Sequence, residues 1–168
     1  MTIHTSHLGF ELIYGMYMEF IADNMLGKLA KWMRFMGHDV YYEKISDDKE
    51  LIELSRSENR YLLTRDKELA KTKDLQVLFI KSEKLENQLR QVIKEFNLQL
   101  NGQEFTRCPE CNHILYVVDK SEVIGKVPNG VQSRQESFWH CELCQRYYWQ
   151  GTHYEKIKTK LEELCSNQ

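Results

Sequence analysis

Short apolar runs alternate with helix-periodic segments over roughly the first hundred residues. The run at 20–22 is bounded by acidic residues and is typical of a buried strand. Over 24–36, apolar side chains recur every three or four residues and Gly37 follows, which predicts a helix that ends at a glycine. Later segments predict strands at 38–42, 61–63 and 77–80, and helices after Asp47, over 67–71 and over 85–96.

This alternation predicts how the strands pair. Asp47 and Glu50 have the spacing of a capping box, so a helix is expected to begin there. Strands that are separated by helices at this rhythm are joined by right-handed crossovers into a parallel sheet. The sequence therefore predicts an α/β fold for the first part of the chain.

The pattern changes around Asn101 and Gly102. Beyond them lie paired cysteines, both prolines, short β-like segments at 114–118, 138–141 and 146–149, and a helix predicted over 154–164. We therefore predict an extension at 1–17, an α/β domain at 18–104, and a small module with a C-terminal helix at 105–168.

The composition narrows the classes of function. Lys and Arg number 23 and Asp and Glu number 25, a net charge of −2, which excludes the strongly basic proteins whose charge alone indicates nucleic-acid binding. A hydrophobic share of 42% is enough for a packed core. The sequence shows neither an apolar stretch of membrane-spanning length nor a typical signal peptide. We therefore expect a soluble cytoplasmic protein whose five cysteines stay reduced and available for metal binding.

Two CxxC pairs carry the clearest chemistry in the second part. They consist of Cys108, Cys111, Cys141 and Cys144. Each pair can present two thiolates to one ion, and this spacing suits a tetrahedral, structural Zn²⁺ site that stabilises a module with little core of its own. A redox CxxC is a weaker alternative, because one pair would suffice for it. His113 and His140 adjoin the cysteines and are alternative ligands for one position.

Aspartates mark the ends of the predicted strands. Asp23 follows the first strand, Asp66 follows the third, and Asp48 opens the helix between them. In a parallel sheet, strand ends and the starts of the following helices meet at one edge, where ligands bind. Oxygen ligands select a hard cation, so we predict a Mg²⁺ or Mn²⁺ site, with Arg34 and Arg65 placed to hold a phosphate. These parts together describe phosphodiester hydrolysis.

Helix capping is the competing interpretation of the same aspartates. Asp23, Asp47 and Asp66 are each expected at a helix start, where an aspartate serves as N-cap without any metal. Asp47 is the better-placed cap of its helix, which leaves Asp48 in the first turn as the metal ligand.

Aromatic residues crowd the last two β-like segments. They are Phe138, Trp139, Tyr147, Tyr148 and Trp149. A small module needs such rings for its core, and we expect Phe138, Tyr147 and Trp149 to pack there. Trp139 and Tyr148 stay open between packing and stacking on the bases of single-stranded RNA.

The ordered motifs resemble a known family. They are FIADNMLGKLAKWMRFMG at 20–37, LLTRD at 62–66, the two CxxC pairs, and YWQGTH at 148–153. Over about 19–155 the chain resembles the Mut-seven C-terminal RNase domain family. The resemblance implies a PIN-like parallel sheet flanked by helices, followed by a Cys₄ zinc ribbon, and a metal-dependent ribonuclease activity with RNA as the partner.

The resemblance also implies roles for individual residues. Asp23, Asp48 and Asp66 match the acidic positions of the family, and Arg34 and Arg65 match its basic positions. His153 matches the terminal histidine of the last motif. Nucleases of the PIN type generally use four acidic residues, and Glu83 and Asp47 are the candidates for the fourth.

Two other functions fit the same sequence. The first is a non-catalytic adaptor that binds RNA or a ribosome through the zinc ribbon. The second is a toxin-like protein with a small protein partner. Salt-dependent RNA binding without metal-stimulated turnover would indicate the adaptor, and co-purification with a short peptide would indicate the toxin.

Overall fold

The computed structural model of the chain describes residues 18–44 and 47–166. The extension predicted at 1–17 lies outside the described residues. The strands are β1 (Glu19–Ala22), β2 (Asp39–Tyr41), β3 (Tyr61–Thr64), β4 (Val77–Phe79), β5 (Tyr116–Val118), β6 (Phe138–Cys141) and β7 (Arg146–Trp149). The helices are α1 (Gly27–Phe35), α2 (Asp48–Ser57), α3 (Leu85–Phe96), α4 (Asn129–Arg134) and α5 (Thr152–Ser166).

The first four strands form one parallel sheet in the order β2-β1-β3-β4. Phe20 of β1 pairs with Val40 on one side and with Tyr61 on the other. This is the α/β fold that the alternation of strands and helices predicts. It follows that β1 and β3 are central neighbours whose carboxyl ends lie side by side.

Helices cover both faces of this sheet. Helices α1, α3 and α5 pack over the face to which the fully buried Phe20 and Leu63 point. Helix α2 and a 3₁₀ turn at Leu69–Lys71 cover the opposite face around Ile21 and Leu62. Successive side chains along a strand thus pack into the cores on opposite faces of the sheet. Both faces are buried, so the strands are continuous apolar runs rather than alternating apolar and polar ones.

The segment at 24–36 is divided more finely than the sequence predicts. A 3₁₀ turn at Asn24–Leu26 precedes α1, and the helix ends in a Schellman motif with Gly37 at φ 90°. A Cβ atom at Gly37 would collide with the backbone of Gln103. Gly37 is therefore required both for its left-handed backbone and for this close approach.

Strands β5, β6 and β7 form a second, antiparallel sheet. Its own small core contains Phe138, which is fully buried, with Tyr147 and Trp149 packed against it. These are the three rings for which we predict packing. Two short helices between β5 and β6, at Lys120–Val123 and α4, were not predicted. The capping box of Asp119 and Glu122 was a signal for the first of them.

Several contacts join the parts of the chain on either side of the predicted boundary at 104, and two of them lie away from the cysteines. The backbone N–H of Phe105 donates to the carbonyl of Phe35, at 2.8 Å. Helix α5 packs on α3, where Lys160 pairs with Glu86 at 3.0 Å. The domain boundary near 104 remains a prediction. None of the described helices is both long and apolar enough to cross a membrane.

Candidate functional site

Four cysteine sulfurs converge where the two CxxC turns face each other. Their Sγ atoms all lie within 4.8 Å of one another, with Cys108 at 3.5 Å from Cys144 and Cys111 at 3.3 Å from Cys141. In a tetrahedral Zn²⁺ site with Zn–S bonds of about 2.3 Å, neighbouring sulfurs lie about 3.8 Å apart. The cluster therefore fits one zinc ion as the sequence spacing predicts, and the antiparallel β5-β6-β7 sheet with this cluster has the form of a zinc ribbon.

The four thiols also oppose one another's ionisation. Burial raises the pKa of Cys108, but hydrogen bonds from the Tyr148 hydroxyl and from backbone N–H groups outweigh it and lower the pKa to about 7. For Cys144, burial and the neighbouring thiols raise the pKa. Ionising one thiol thus opposes ionising the next, and a bound Zn²⁺ removes this repulsion.

Neither histidine beside the cysteines joins this group. The ring of His140 stacks on Tyr147 with 4.4 Å between ring centroids, and His113 lies 6.5 Å from Tyr116. The four-cysteine set is the only group of three or more Cys, His, Asp or Glu residues with ligand atoms this close in 18–44 and 47–166. The ligands that fit zinc are therefore the four thiolates.

Asp23 lies at the carboxyl end of β1 and is 4% exposed. One carboxylate oxygen, Oδ1, accepts from the N–H of Met25 at 2.8 Å and caps the 3₁₀ turn. The other, Oδ2, accepts from the hydroxyl of Thr64 at 2.5 Å and from the N–H of Arg65 at 2.7 Å. A carboxylate has about four lone-pair sites, so about one site remains available for a further ligand.

The Thr64 hydroxyl links Asp23 to Asp66. While this hydroxyl donates to Asp23, its oxygen accepts from the N–H of Asp66 at 2.9 Å. Asp66 then accepts from the N–H groups of Glu68 and Leu69 through Oδ1 alone, and these bonds lower its pKa. Its Oδ2 receives no hydrogen bond from the described residues. The two aspartates therefore share one edge of the sheet, and the exposed Asp66 keeps a free carboxylate oxygen.

Asp48 belongs to a different element from these two side chains. It is exposed in the first turn of α2, after Asp47, whose side chain caps the helix by accepting from the N–H of Lys49 at 3.1 Å. In the described part of the chain, the carboxylates of Asp23, Asp48 and Asp66 do not form a group within 4.8 Å. The capping interpretation is thus confirmed for Asp23 and Asp47. Asp66 accepts from backbone N–H groups in the same manner, but the N-cap of the 3₁₀ turn that follows it is Glu68. Ligand positions remain open on Asp23 and Asp66.

Arg65 brings Glu83 to the same edge. Its Nη2 donates to Glu83 Oε1 at 2.8 Å, although Glu83 itself is largely exposed. The Nε–H group of Arg65 is buried without a hydrogen-bond partner in 18–44 and 47–166. Glu83, one of the two candidates for a fourth acid, therefore adjoins the backbone that links Asp23 and Asp66.

Arg34 has a different environment from the one that its predicted role requires. Its side chain is 3% exposed, and its guanidinium donates to the carbonyls of Val40, at 2.8 and 3.0 Å, Pro109, at 3.1 Å, and Glu110, at 3.0 Å. It thus joins α1 to β2 and to the first CxxC turn. The sequence does not reveal this contact, because Pro109 and Glu110 lie 75 and 76 residues after Arg34 in the chain.

Comparison with known proteins adds the family. A family model described as Mut7-C RNAse domain matches residues 18–161, which cover the sheet, its edge and the zinc ribbon. No match was found among curated proteins or among solved structures. Since the match extends over most of the chain, this protein belongs to the Mut7-C RNAse domain family.

Proposed function

We propose that the protein is a ribonuclease that hydrolyses RNA phosphodiester bonds at the carboxyl edge of β1 and β3. Membership in an RNase domain family indicates a nuclease-type function. The observation that carries the proposal is the bridge through the Thr64 hydroxyl, which donates to the carboxylate of Asp23 and accepts from the backbone N–H of Asp66 at one edge of the sheet. This edge is where parallel sheets bind their ligands.

Asp23 and Asp66 are the residues that would hold Mg²⁺ or Mn²⁺, and Asp48 would join them from the start of α2. The donor set fits such an ion because it offers only oxygens and one unoccupied carboxylate position at Asp66. Mg²⁺ keeps several waters and is commonly held by one or two carboxylates together with substrate phosphates, so a compact group of three is not needed. When bound, the ion supplies Lewis acidity that activates water and neutralises phosphate charge.

Asp23 and Arg65 have separate tasks in this proposal. The three hydrogen bonds to Asp23 fix the orientation of its carboxylate. The backbone N–H of Arg65 donates to Asp23 and holds Arg65 beside it. The Arg65 guanidinium pairs with the carboxylate of Glu83, and a substrate phosphate can take the place of that carboxylate. The guanidinium then stabilises negative charge on the phosphate in the transition state.

Cleavage of labelled single-stranded RNA with Mn²⁺, with Mg²⁺ and without added ion tests the proposal. Asp66→Asn should lower the rate by about 100-fold or more, since a metal ligand is worth several kcal/mol in the transition state. The fold should survive because an asparagine oxygen still accepts from the N–H groups of Glu68 and Leu69. Asp23→Asn should be equally inactive.

Asp23→Asn needs a stability measurement beside the rate. Its amide NH₂ faces backbone N–H donors, so the variant should lose about 1–3 kcal/mol of folding free energy. Asp74→Asn is the matched control, because Asp74 is exposed and has a positive φ that asparagine tolerates. Native cleavage rates for both Asp66→Asn and Asp23→Asn, with contaminating nucleases excluded, would refute the catalytic assignment.

One observation favours a second function, the non-catalytic RNA-binding adaptor. The three aspartates do not form a compact ligand group in the described ranges, whereas the zinc ligands do. The adaptor predicts salt-dependent RNA binding that is equal in the native protein and in Asp66→Asn, with no cleavage in either ion. Ion-stimulated turnover that Asp66→Asn abolishes would exclude it.

A further inference from the structure

A cavity of about 560 Å³ lies between the α/β part and the zinc ribbon. It is distinct from the aspartate edge, since neither Asp23 nor Asp66 lines it. Its volume is in the range of about 300–1,000 Å³ that is usual for small-molecule sites. The residues that form its walls are mainly aromatic.

Rings from both parts of the chain line the cavity. Phe35 and Phe105 lie 5.8 Å apart, and Phe105 lies 4.1 Å from Tyr154, as measured between ring centroids. Trp139 and Tyr148, which are cross-strand partners in β6 and β7, line the ribbon side. Strand alternation directs these two side chains away from the face that carries Phe138 and the ribbon core.

Hydrogen bonds hold the rings of Tyr148, Phe35 and Phe105 in place. The hydroxyl of Tyr148 lies 3.1 Å from Cys108 Sγ, so this ring is fixed to the zinc cluster. The hydrogen bond between Phe105 and Phe35 ties the backbone of the two rings together. At Gly151, a Cβ atom would come within 2.9 Å of the indole nitrogen of Trp149, so the absence of a side chain there makes room for the ring.

The Arg107 and Glu104 side chains that line the cavity have polar partners within the protein. Arg107 pairs with Asp39 at 3.1 Å and donates to the carbonyl of Asn112. Glu104 accepts from the N–H groups of Asn101 and Gly102. The cavity therefore favours a ligand whose buried part carries no charge. The exposed side chains of Thr152 and His153 add hydrogen-bonding groups to the lining.

We propose that this cavity binds a nucleobase of single-stranded RNA, with Trp139 and Tyr148 as the stacking platform. The inference rests on the proposed function for the identity of the ligand. Bases are planar and neutral, they stack on aromatic rings, and they offer edges to hydrogen-bonding groups such as those of Thr152 and His153. The proposal gives the zinc ribbon a role in substrate binding.

Binding of a fluorescent oligoadenylate, measured without added Mg²⁺ or Mn²⁺, tests this inference. An abasic oligomer of the same length supplies the same phosphates without bases. Trp139→Leu keeps an apolar side chain but removes the ring, and it should weaken oligoadenylate binding by about 10-fold, the loss expected for one stacked base. Binding of the abasic oligomer should not change. Trp139→Phe should restore most of the affinity.

Tyr116→Leu is the matched control, because Tyr116 is 48% exposed and lies on the same sheet but does not line the cavity. It should bind oligoadenylate like the native protein. Equal affinities of Trp139→Leu and the native protein for oligoadenylate would overturn the proposal, as would an equal loss for both oligomers. If Trp139→Leu binds oligoadenylate like the native protein but no longer binds an apolar peptide that the native protein binds, the cavity is a protein-binding groove instead.

The binding readout separates this inference from the proposed catalysis. A protein that never cleaves RNA still shows the loss in Trp139→Leu if a base occupies the cavity. A protein that cleaves in an Asp66-dependent way still overturns the inference if Trp139→Leu binds both oligomers normally.

Discussion

The zinc cluster and the aspartate edge are both candidate metal sites, and the fold assembles them to different degrees. The four thiols lie within 4.8 Å of one another in two CxxC turns whose backbone sets their positions. At the sheet edge, Asp23 and Asp66 are joined through Thr64, while Asp48 lies in the first turn of α2. The first site has a full set of four ligands, and the proposed second site does not form a compact group in the described residues.

This difference matches the chemistry of the two kinds of ion. Thiolates bind zinc in a closed tetrahedron that contributes to folding. Carboxylates bind Mg²⁺ or Mn²⁺ loosely and leave positions open for phosphate oxygens and water. A closed site is suited to stabilising a module, and an open site is suited to turnover. The comparison therefore predicts effects of very different size when each ion is removed.

The largest effect is expected at the zinc cluster. Cys108→Ser should lose the zinc ion and unfold the ribbon, because structural zinc contributes on the order of 10 kcal/mol to such modules. Metal analysis and hydrogen exchange of the 105–151 backbone would measure both losses. Cys165→Ser is the control, since Cys165 lies outside the cluster, and it should keep its zinc. A native exchange pattern in zinc-free Cys108→Ser would contradict the structural role.

A smaller loss is expected at the contact that joins the two regions. Arg34→Lys keeps the positive charge but cannot reach the carbonyls of Val40, Pro109 and Glu110 together, so it should lower the free energy of unfolding by about 2–3 kcal/mol. Urea unfolding measures this change, and the exposed Arg56→Lys serves as control. Native stability combined with a large loss of cleavage would instead support the phosphate-holding role predicted from sequence.

The smallest effect is expected from the ion at the aspartate edge. Mn²⁺ at about five times its dissociation constant should stabilise the native protein by about 1 kcal/mol, which a thermal shift detects. Asp66→Asn should lose this stabilisation, and Asp74→Asn should keep it. Equal stabilisation of Asp66→Asn and the native protein would place the ion elsewhere.

Local patterns predict much of the fold because the decisive signals are short. The bounds of α3, β6 and β7 follow from spacing and apolar runs, and the zinc ligands follow from the two CxxC pairs. The proximity of Asp23 to Asp66 follows from a topological rule, since the carboxyl ends of neighbouring parallel strands meet at one edge. These inferences need no knowledge of side-chain packing.

Contacts between distant segments are what sequence patterns do not reveal. Arg34 has the spacing of an exposed helix residue, yet the CxxC turn lies over it and buries it. The pairing of Arg65 with Glu83 and the cavity between the sheet and the ribbon likewise depend on how separate elements dock. Such docking depends on three-dimensional fit, which periodicity does not encode.

Helix α1 sets the distance between the two proposed contacts with RNA, which are the aspartate edge and the aromatic cavity. It begins after the 3₁₀ turn that Asp23 caps and ends at Phe35 in the wall of the cavity, and its nine residues span about 13 Å. Arg34 joins its far end to the first CxxC turn of the ribbon, which fixes the position of the helix relative to the ribbon. A strand whose base is anchored in the cavity would then present its backbone for scission at a set number of nucleotides from the anchor.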